Sequence, residues 1–281
     1  MGEGSKNTIS RRLLVWASNC PWLRNLYSAT SHLPGVGGIL RCIVRRALPY
    51  GTRVWVQVRN GLGKGLWLRL DPRYELNYWN GDYEPEIQNL LAGRLRPGDV
   101  LYDIGAHIGF FSLIAARLVG KEGAVFAFEP DPENVARIEE HIQRNELNQV
   151  QVVPLAVWSA SEQRLYFQRA SEFSSRSTGA IVQTPTSTGI DVIEVQTITL
   201  DEFVQNHRPP NLVKVDVEGG ESEVLKGAIW TFEIVRPLLI CEVHDEANRQ
   251  FVTQMLKGKY VFLWLDGEAA PFPKRLFAMP C

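Results

Sequence analysis

Val100-Leu101-Tyr102-Asp103-Ile104-Gly105-Ala106-His107-Ile108-Gly109-Phe110-Phe111-Ser112 is the stretch that decides the fold. Apolar residues run into Asp103, a tight glycine turn follows, and a helix opens near Gly109. Gly105 lets the backbone approach a ligand closely, and Gly109 lets helix meet strand. The start of that helix offers free amide donors to an anion. The spacing is D-x-G-x-x-x-G, not the G-x-G-x-x-G of dinucleotide sites. A pyrophosphate needs its second glycine two residues after the first, where His107 stands. Asp103 instead offers an acceptor for an ammonium group. The turn therefore suits the carboxylate and ammonium of an amino acid better than a pyrophosphate.

Outward from this stretch, strands and helices alternate. Strands are expected at Val100–Ile104, Ala124–Glu129, Val150–Val157, Leu212–Val217, Leu238–Val243 and Tyr260–Leu265. Helices are expected at Phe110–Val119, Pro132–Asn145, Glu221–Trp230 and Glu246–Leu256. Such alternation predicts an α/β fold, a parallel sheet with helices on both faces. Glu129 ends the second strand, 20 residues past Gly109. An acid there is placed to accept both hydroxyls of a ribose. Asp131 and Pro132 read as the N-cap and first position of the next helix.

A second anomaly lies downstream. In Leu212-Val213-Lys214-Val215-Asp216-Val217-Glu218-Gly219-Gly220-Glu221, alternation puts the valines on one face and Lys214, Asp216 and Glu218 on the other. Helix-covered parallel strands are usually apolar throughout. The next strand repeats the pattern, with Glu242 and His244 at its end. Ligands of open α/β sheets bind outside the C-terminal ends of the strands. Asp216, Glu218, Glu242 and His244 would make a polar site there. The structural alternative is an internal ion pair through Lys214, with the helix capped from Glu221.

Composition bounds the rest. The chain has 281 residues, 45% hydrophobic and 22% charged, which fits one large domain or a domain with an appendage. Its four cysteines are scattered and form no C-x-x-C pair, so neither a disulfide framework nor a zinc knuckle is expected. No apolar stretch reaches the roughly 20 residues of a spanning helix, and the N-terminus lacks a signal-peptide pattern. A soluble, cytoplasmic protein is expected. The net charge of -1 hides an asymmetry, because residues 1–60 carry nine bases and one acid. Residues 1–50 read as a basic helical leader, with an apolar stripe from Val36 to Leu48. A basic face over residues 1–48 admits peripheral contact with an anionic membrane, or packing on the acidic body. Residues 51–281 form the main domain, with a core at about 95–266. It begins with a β-hairpin over 53–70, turned at Asn60-Gly61-Leu62-Gly63. The Ser/Thr-rich stretch Ser159–Thr199 is a candidate substrate lid, with extra strands at Arg164–Gln168 and Ile193–Ile198.

Together these blocks resemble the FkbM family of S-adenosylmethionine-dependent methyltransferases. The resemblance runs from about Gly65 to Asp245. Its carriers are Trp67-Leu68-Arg69-Leu70-Asp71-Pro72, Gly81-Asp82-Tyr83-Glu84, Leu95-Arg96-Pro97-Gly98-Asp99-Val100, Asp103 to Gly109, Phe128-Glu129-Pro130, Thr199-Leu200-Asp201, Val213 to Glu221, and Val224-Leu225-Lys226-Gly227. The Lys-x-Asp-x-Glu-Gly block is the most specific of them, and the family usually has Asn where this chain has His107. The resemblance implies a class I methyltransferase (Rossmann-like) fold with a seven-stranded sheet. It implies that Asp103, Gly105 and Gly109, with His107 beside them, hold the methionine end of S-adenosylmethionine. Glu129 would take the ribose, and Ala156, at the end of the third strand, would lie by the adenine. Family members mostly methylate hydroxyls of sugars, polyketides and other small natural products.

Transfer to a hydroxyl needs alignment, exclusion of water and a place for the proton. Asp216 is the first candidate base and His244 the second, with Glu218 and Glu242 orienting the hydroxyl. The cluster is compatible with a divalent metal, but no metal is expected, since the ligand spacing is not diagnostic. Three alternatives compete with this reading: a nucleotide-dependent oxidoreductase or sugar-modifying enzyme on a similar sheet, a nucleic-acid methyltransferase, and a catalytically silent methyltransferase-fold protein docking to a membrane or partner through its basic leader. The glycine spacing disfavours the first. The absence of a base-flipping motif disfavours nucleic acid, and the intact Asp103, Gly105, Gly109, Glu129 and Asp216 disfavour the silent protein.

Overall fold

The structure is a computed structural model that describes residues 53–71, 74–169, 179–182, 192–267 and 274–281. The basic leader and its Val36–Leu48 stripe lie outside these residues, as does much of the Ser/Thr-rich stretch. The chain divides into two units, Met1–Tyr83 and Glu84–Cys281. No helix among the described residues is long and apolar enough to cross a membrane.

In the first unit, β1 (Val54–Gln57) pairs antiparallel with β2 (Trp67–Leu70), Val54 facing Leu70. The turn carries Gly61 and Gly65 at positive φ, as the Asn-Gly chemistry predicts. A short helix, α1 (Leu76–Asn80), follows.

The second unit opens with α2 (Pro85–Arg94) and then alternates: β3 (Val100–Ile104), α3 (Phe110–Val119), β4 (Ala124–Phe128), α4 (Pro132–Asn145), β5 (Val150–Val153). The excursion β6 (Ala156–Val157), β7 (Arg164–Gln168), β8 (Ala180–Val182) and β9 (Val192–Ile198) comes next. The chain then makes α5 (Leu200–Asn206), β10 (Leu212–Val215), α6 (Glu221–Lys226), a π-helix at Thr231–Val235, and β11 (Leu238–Glu242). It ends with α7 (Glu246–Leu256), β12 (Tyr260–Trp264) and β13 (Arg275–Pro280).

Seven strands form one sheet in the order β12-β13-β11-β10-β3-β4-β5. All neighbours are parallel except β13, which runs antiparallel to β11 and β12. This is the mostly parallel seven-stranded sheet that the resemblance implies. The strand order reverses between β3 and β10, so the crevice for a ligand opens at their C-terminal ends. Every residue of β3 and β10 is buried, which means both faces of the sheet are covered. Val100, Tyr102 and Ile104 share one core with Val213, Val215 and Phe203. Alternation turns Leu101, Asp103 and Lys214 to the opposite face.

Three expectations are corrected. The strand read as Val150–Val157 is two strands. Pro154 has no N–H for the ladder, and Ala156–Val157 leaves to pair with β9 in a separate sheet of order β6-β9-β7-β8. The helix read as Glu221–Trp230 stops at Lys226 before Gly227. A π-helix follows, and Asp201 accepts the N–H groups of Trp230 and Thr231 at its entry. The strand expected at Leu212–Val217 ends at Val215, and Glu218 lies in the left-handed region at φ 52°, so strict alternation does not run on to Glu218.

Candidate active site

Asp103 closes β3, is 1% exposed, and accepts a 2.5 Å hydrogen bond from Ser112 Oγ at the start of α3. Its other oxygen, Oδ1, is buried without a hydrogen-bond partner and lies 3.5 Å from Lys214 Nζ. The glycine turn that follows is tied down from both sides. The N–H groups of Gly105 and Ala106 donate to the Phe128 carbonyl. The Asp216 N–H donates to the Ile104 carbonyl at 3.0 Å. Gly105 has φ 78°, and a Cβ there would collide with the carbonyl oxygen of Asp216. The close approach that this glycine permits is therefore to the chain leaving β10. Gly109 has φ 79°, and its Cβ would press on Ile138 of α4, so it admits a helix where a strand was expected.

His107 also adopts the left-handed region, φ 52°. Asn and His are among the few non-glycine residues enriched there, which accounts physically for His at a position where the resemblance leads one to expect Asn. Its contribution to the site is main-chain: the His107 N–H donates to Glu129 Oε2 at 2.8 Å. The Asp131 N–H donates to Glu129 Oε1 at 3.0 Å. Burial pushes the Glu129 carboxyl up to about 7, although these hydrogen bonds pull the other way.

Asp131 caps α4 through the Glu133 N–H, as its sequence position suggests. It also accepts a bidentate pair from Arg169, at 2.8 and 2.6 Å. Arg169 lies just past β7, and nothing in the local sequence marks it. Ala156 is buried in β6, beyond the break at Pro154, with Phe167 and Val195 of the small sheet as core partners.

The charged residues at the ends of β10 and β11 converge. Lys214 sits 4% exposed opposite Asp103 in register, 3.4 Å from Asp216 Oδ2. Burial alone would lower its pKa, but the charges of Asp216, Asp103 and Glu84 outweigh it and raise it. His244 Nε2 lies 3.4 Å from Glu218 Oε2 and 3.9 Å from Asp216 Oδ1. Its Nδ1 is 2.6 Å from Glu221 Oε1, and Glu221 is wholly buried. Burial opposes charge on His244, but the Glu221 hydrogen bond and the three carboxylates raise it to about 9. These contacts favour the charged imidazolium, whose two ring nitrogens face Glu221 and Glu218. Glu242 is pushed up to about 7, by burial first and then by the charges of Asp216 and Glu84. Glu84 and Glu221 were not singled out as site residues, because their roles depend on what the fold brings near them.

The arrangement offers two chemistries. Asp216, Glu218 and His244 each present a ligand atom, all within 4.8 Å of one another, which is a set able to hold a metal ion. Alternatively, the imidazolium supplies the positive charge and the carboxylates accept protons. On the other side of the switch point, Asp103 and Glu129 offer acceptors for an ammonium and a diol.

The family model described as Methyltransferase FkbM domain matches residues 103–268. Among known proteins, the hexuronic acid methyltransferase AglP of Haloferax volcanii is 31% identical over 175 residues, 62% of this chain and 67% of that one. A solved FkbM methyltransferase from Methylobacillus flagellatus is 17% identical, with a TM-score of 0.47 over 73% of this chain and 62% of its own. The chain thus spans less than two thirds of that structure. An S-adenosylmethionine-dependent O-methyltransferase from Thermotoga maritima is 13% identical, with a TM-score of 0.45 over 81% of this chain and 77% of its own. The fold rests on the strand order above and not on these overlays.

Proposed function

The chain belongs to the FkbM methyltransferase family, and from that premise we propose that it transfers a methyl group from S-adenosylmethionine to a hydroxyl of a sugar or sugar acid. When bound, the cofactor supplies an electrophilic methyl on a sulfonium. Two features fit it: the buried Asp103 oxygen that lacks a hydrogen-bond donor, and Glu129, whose carboxylate has acceptor capacity left for a diol. Asp103 would hold the ammonium and Glu129 the ribose hydroxyls, with Gly105, His107 and Gly109 shaping the turn. Ala156 would lie by the adenine.

One observation carries the reading. The main chain of Asp216 is docked on the cofactor turn by the missing Cβ of Gly105 and by its N–H bond to Ile104. A carboxylate carried on that segment supports a role as acceptor of the hydroxyl proton, and a positioned base is worth roughly 10²–10⁴-fold. Asp216 is the base. His244, already charged, steadies Glu218 and Asp216 and the developing alkoxide. Glu242, near its midpoint at neutral pH, can donate a hydrogen bond to the acceptor. The 31% identity to a hexuronic acid methyltransferase supports a uronic acid or its glycoside as acceptor.

The test is calorimetric titration with S-adenosylmethionine, S-adenosylhomocysteine and NAD, followed by methyl transfer to uronic acid and neutral glycosides. Both sulfur ligands should bind and NAD should not, and Asp103→Ala should lose them. Asp216→Asn should keep cofactor binding and lose turnover. Unchanged turnover would remove Asp216 from the role. On this reading His244 and not a metal supplies the positive charge, so transfer should survive a chelator. Loss of activity in chelator, restored by Mn²⁺, would instead assign Asp216, Glu218 and His244 to a cation.

A further inference from the structure

We propose that Lys214 is a positioning residue that links the cofactor turn to the base, its charge being driven toward Asp216 when a cation arrives at Asp103. This rests on the methyltransferase reading above. Lys214 and Asp103 are register partners on adjacent strands, on the face away from the main aromatic core. The ammonium lies 3.5 Å from Asp103 and 3.4 Å from Asp216, with the ring of Phe111 5.3 Å away. It is held almost equally by a carboxylate of the cofactor turn and by the carboxylate of the base.

A central parallel strand has no need of a lysine. A leucine or methionine would fill the volume without desolvating a charge. The two contacts are also long for charge-assisted hydrogen bonds, which run to about 2.7–2.9 Å. A cation poised at such distances responds to a third charge. The cofactor's ammonium at Asp103 would repel Lys214 and share its carboxylate. The groups that face the lysine from elsewhere are all acidic or bound to acids. Glu84 precedes α2, Glu242 ends β11, and His244 beyond it is engaged by Glu218 and Glu221. Asp216 is the carboxylate already in contact, so the displaced charge moves there. The base would then be most firmly oriented when the methyl donor is in place.

The experiment is ¹³C NMR of carboxyl-labelled aspartate, following the chemical shift of Asp216 at one fixed pH, in EDTA, with and without S-adenosylmethionine. Asp216→Asn assigns the signal, and calorimetry measures cofactor affinity. In the wild type the Asp216 signal should move on saturation. In Lys214→Met it should move less than about half as far, while cofactor affinity is unchanged or tighter, since Asp103 loses a competing cation. Lys214→Arg should restore the shift. A lysine with only a structural role predicts a wild-type signal indifferent to the cofactor, or a Met variant that loses affinity and keeps the shift. Either result overturns the proposal. If Lys214→Met does not fold, the wild-type shift and the folded Arg variant decide it. A wild type that binds no cofactor overturns the function reading and this proposal together. Binding without the shift overturns this one alone.

Discussion

On the proposed function, Glu129 combines two demands that conflict. Burial raises its pKa to about 7, yet a ribose diol donates two hydrogen bonds and so prefers the carboxylate. Cofactor binding should therefore expel a proton below neutrality. The affinity for S-adenosylhomocysteine should weaken by about tenfold between pH 8 and pH 6, and Glu129→Gln should flatten that slope. Calorimetry in buffers of different ionisation enthalpy would show both the affinity and the proton. A slope unaffected by Glu129→Gln would detach the residue from the ligand. At this scale much of the site was legible. Asp103 and Glu242 stand in the last residues of their strands and Glu129, Asp216, Glu218 and His244 one to three residues beyond, where charge beside an otherwise apolar strand is conspicuous. Ser112, Glu84 and Arg169 were not. Each is unexceptional locally and gains its role from a partner that the fold selects, 9 residues away for Ser112 and 38 for Arg169.

Elements were legible where their ends carry local chemistry. Helices α3, α4 and α7 begin and end where the sequence predicts; α3 opens at Gly109, α4 at the expected Asp131 cap with Pro132, and α7 behind a cap from Asp245 that the structure adds. Strand β13 was missed because it is an antiparallel strand whose pairing with β11 and β12 is long-range. The break at Pro154 was present in the sequence but hidden inside a continuous apolar run. It matters because it releases β6 into the small sheet, whose next strand delivers Arg169 to the cap of α4. The tie is bidentate and partly buried, with side chains 26% and 8% exposed. Arg169→Met should cost about 1–3 kcal/mol in urea unfolding. The Arg164–Glu194 pair of the same sheet is 71% and 52% exposed, and Arg164→Met should cost no more than about 0.5 kcal/mol. Equal effects would mean that the two ties are alike and that Arg169 does not brace α4.

Across the whole molecule, three groups at the site share a sign. Glu129, Glu242 and His244 all have pKa values raised by folding. A raised pKa stabilises the fold below the unfolded value and loses that contribution as pH climbs through the folded one. For the two glutamates the loss runs from about 4.5 to 7, and for His244 from about 6.5 to 9. The site therefore pulls the stability optimum toward acid. Thermal melts should show Glu242→Gln raising Tm at pH 8 and leaving it unchanged at pH 4.5. A variant that raises Tm equally at both would place the strain in packing instead of charge.

The carbonyl oxygen of Asp216 against Gly105 bears on how such a molecule can change over generations. The oxygen belongs to the main chain, so it is there whatever side chain stands at 216. The glycine has no substitute at its position, because any Cβ meets that oxygen. Heritable variation is thus steered to one side of the contact. Lineages can exchange the side chain at 216 while the turn after β3 that its main chain rests on passes on unaltered.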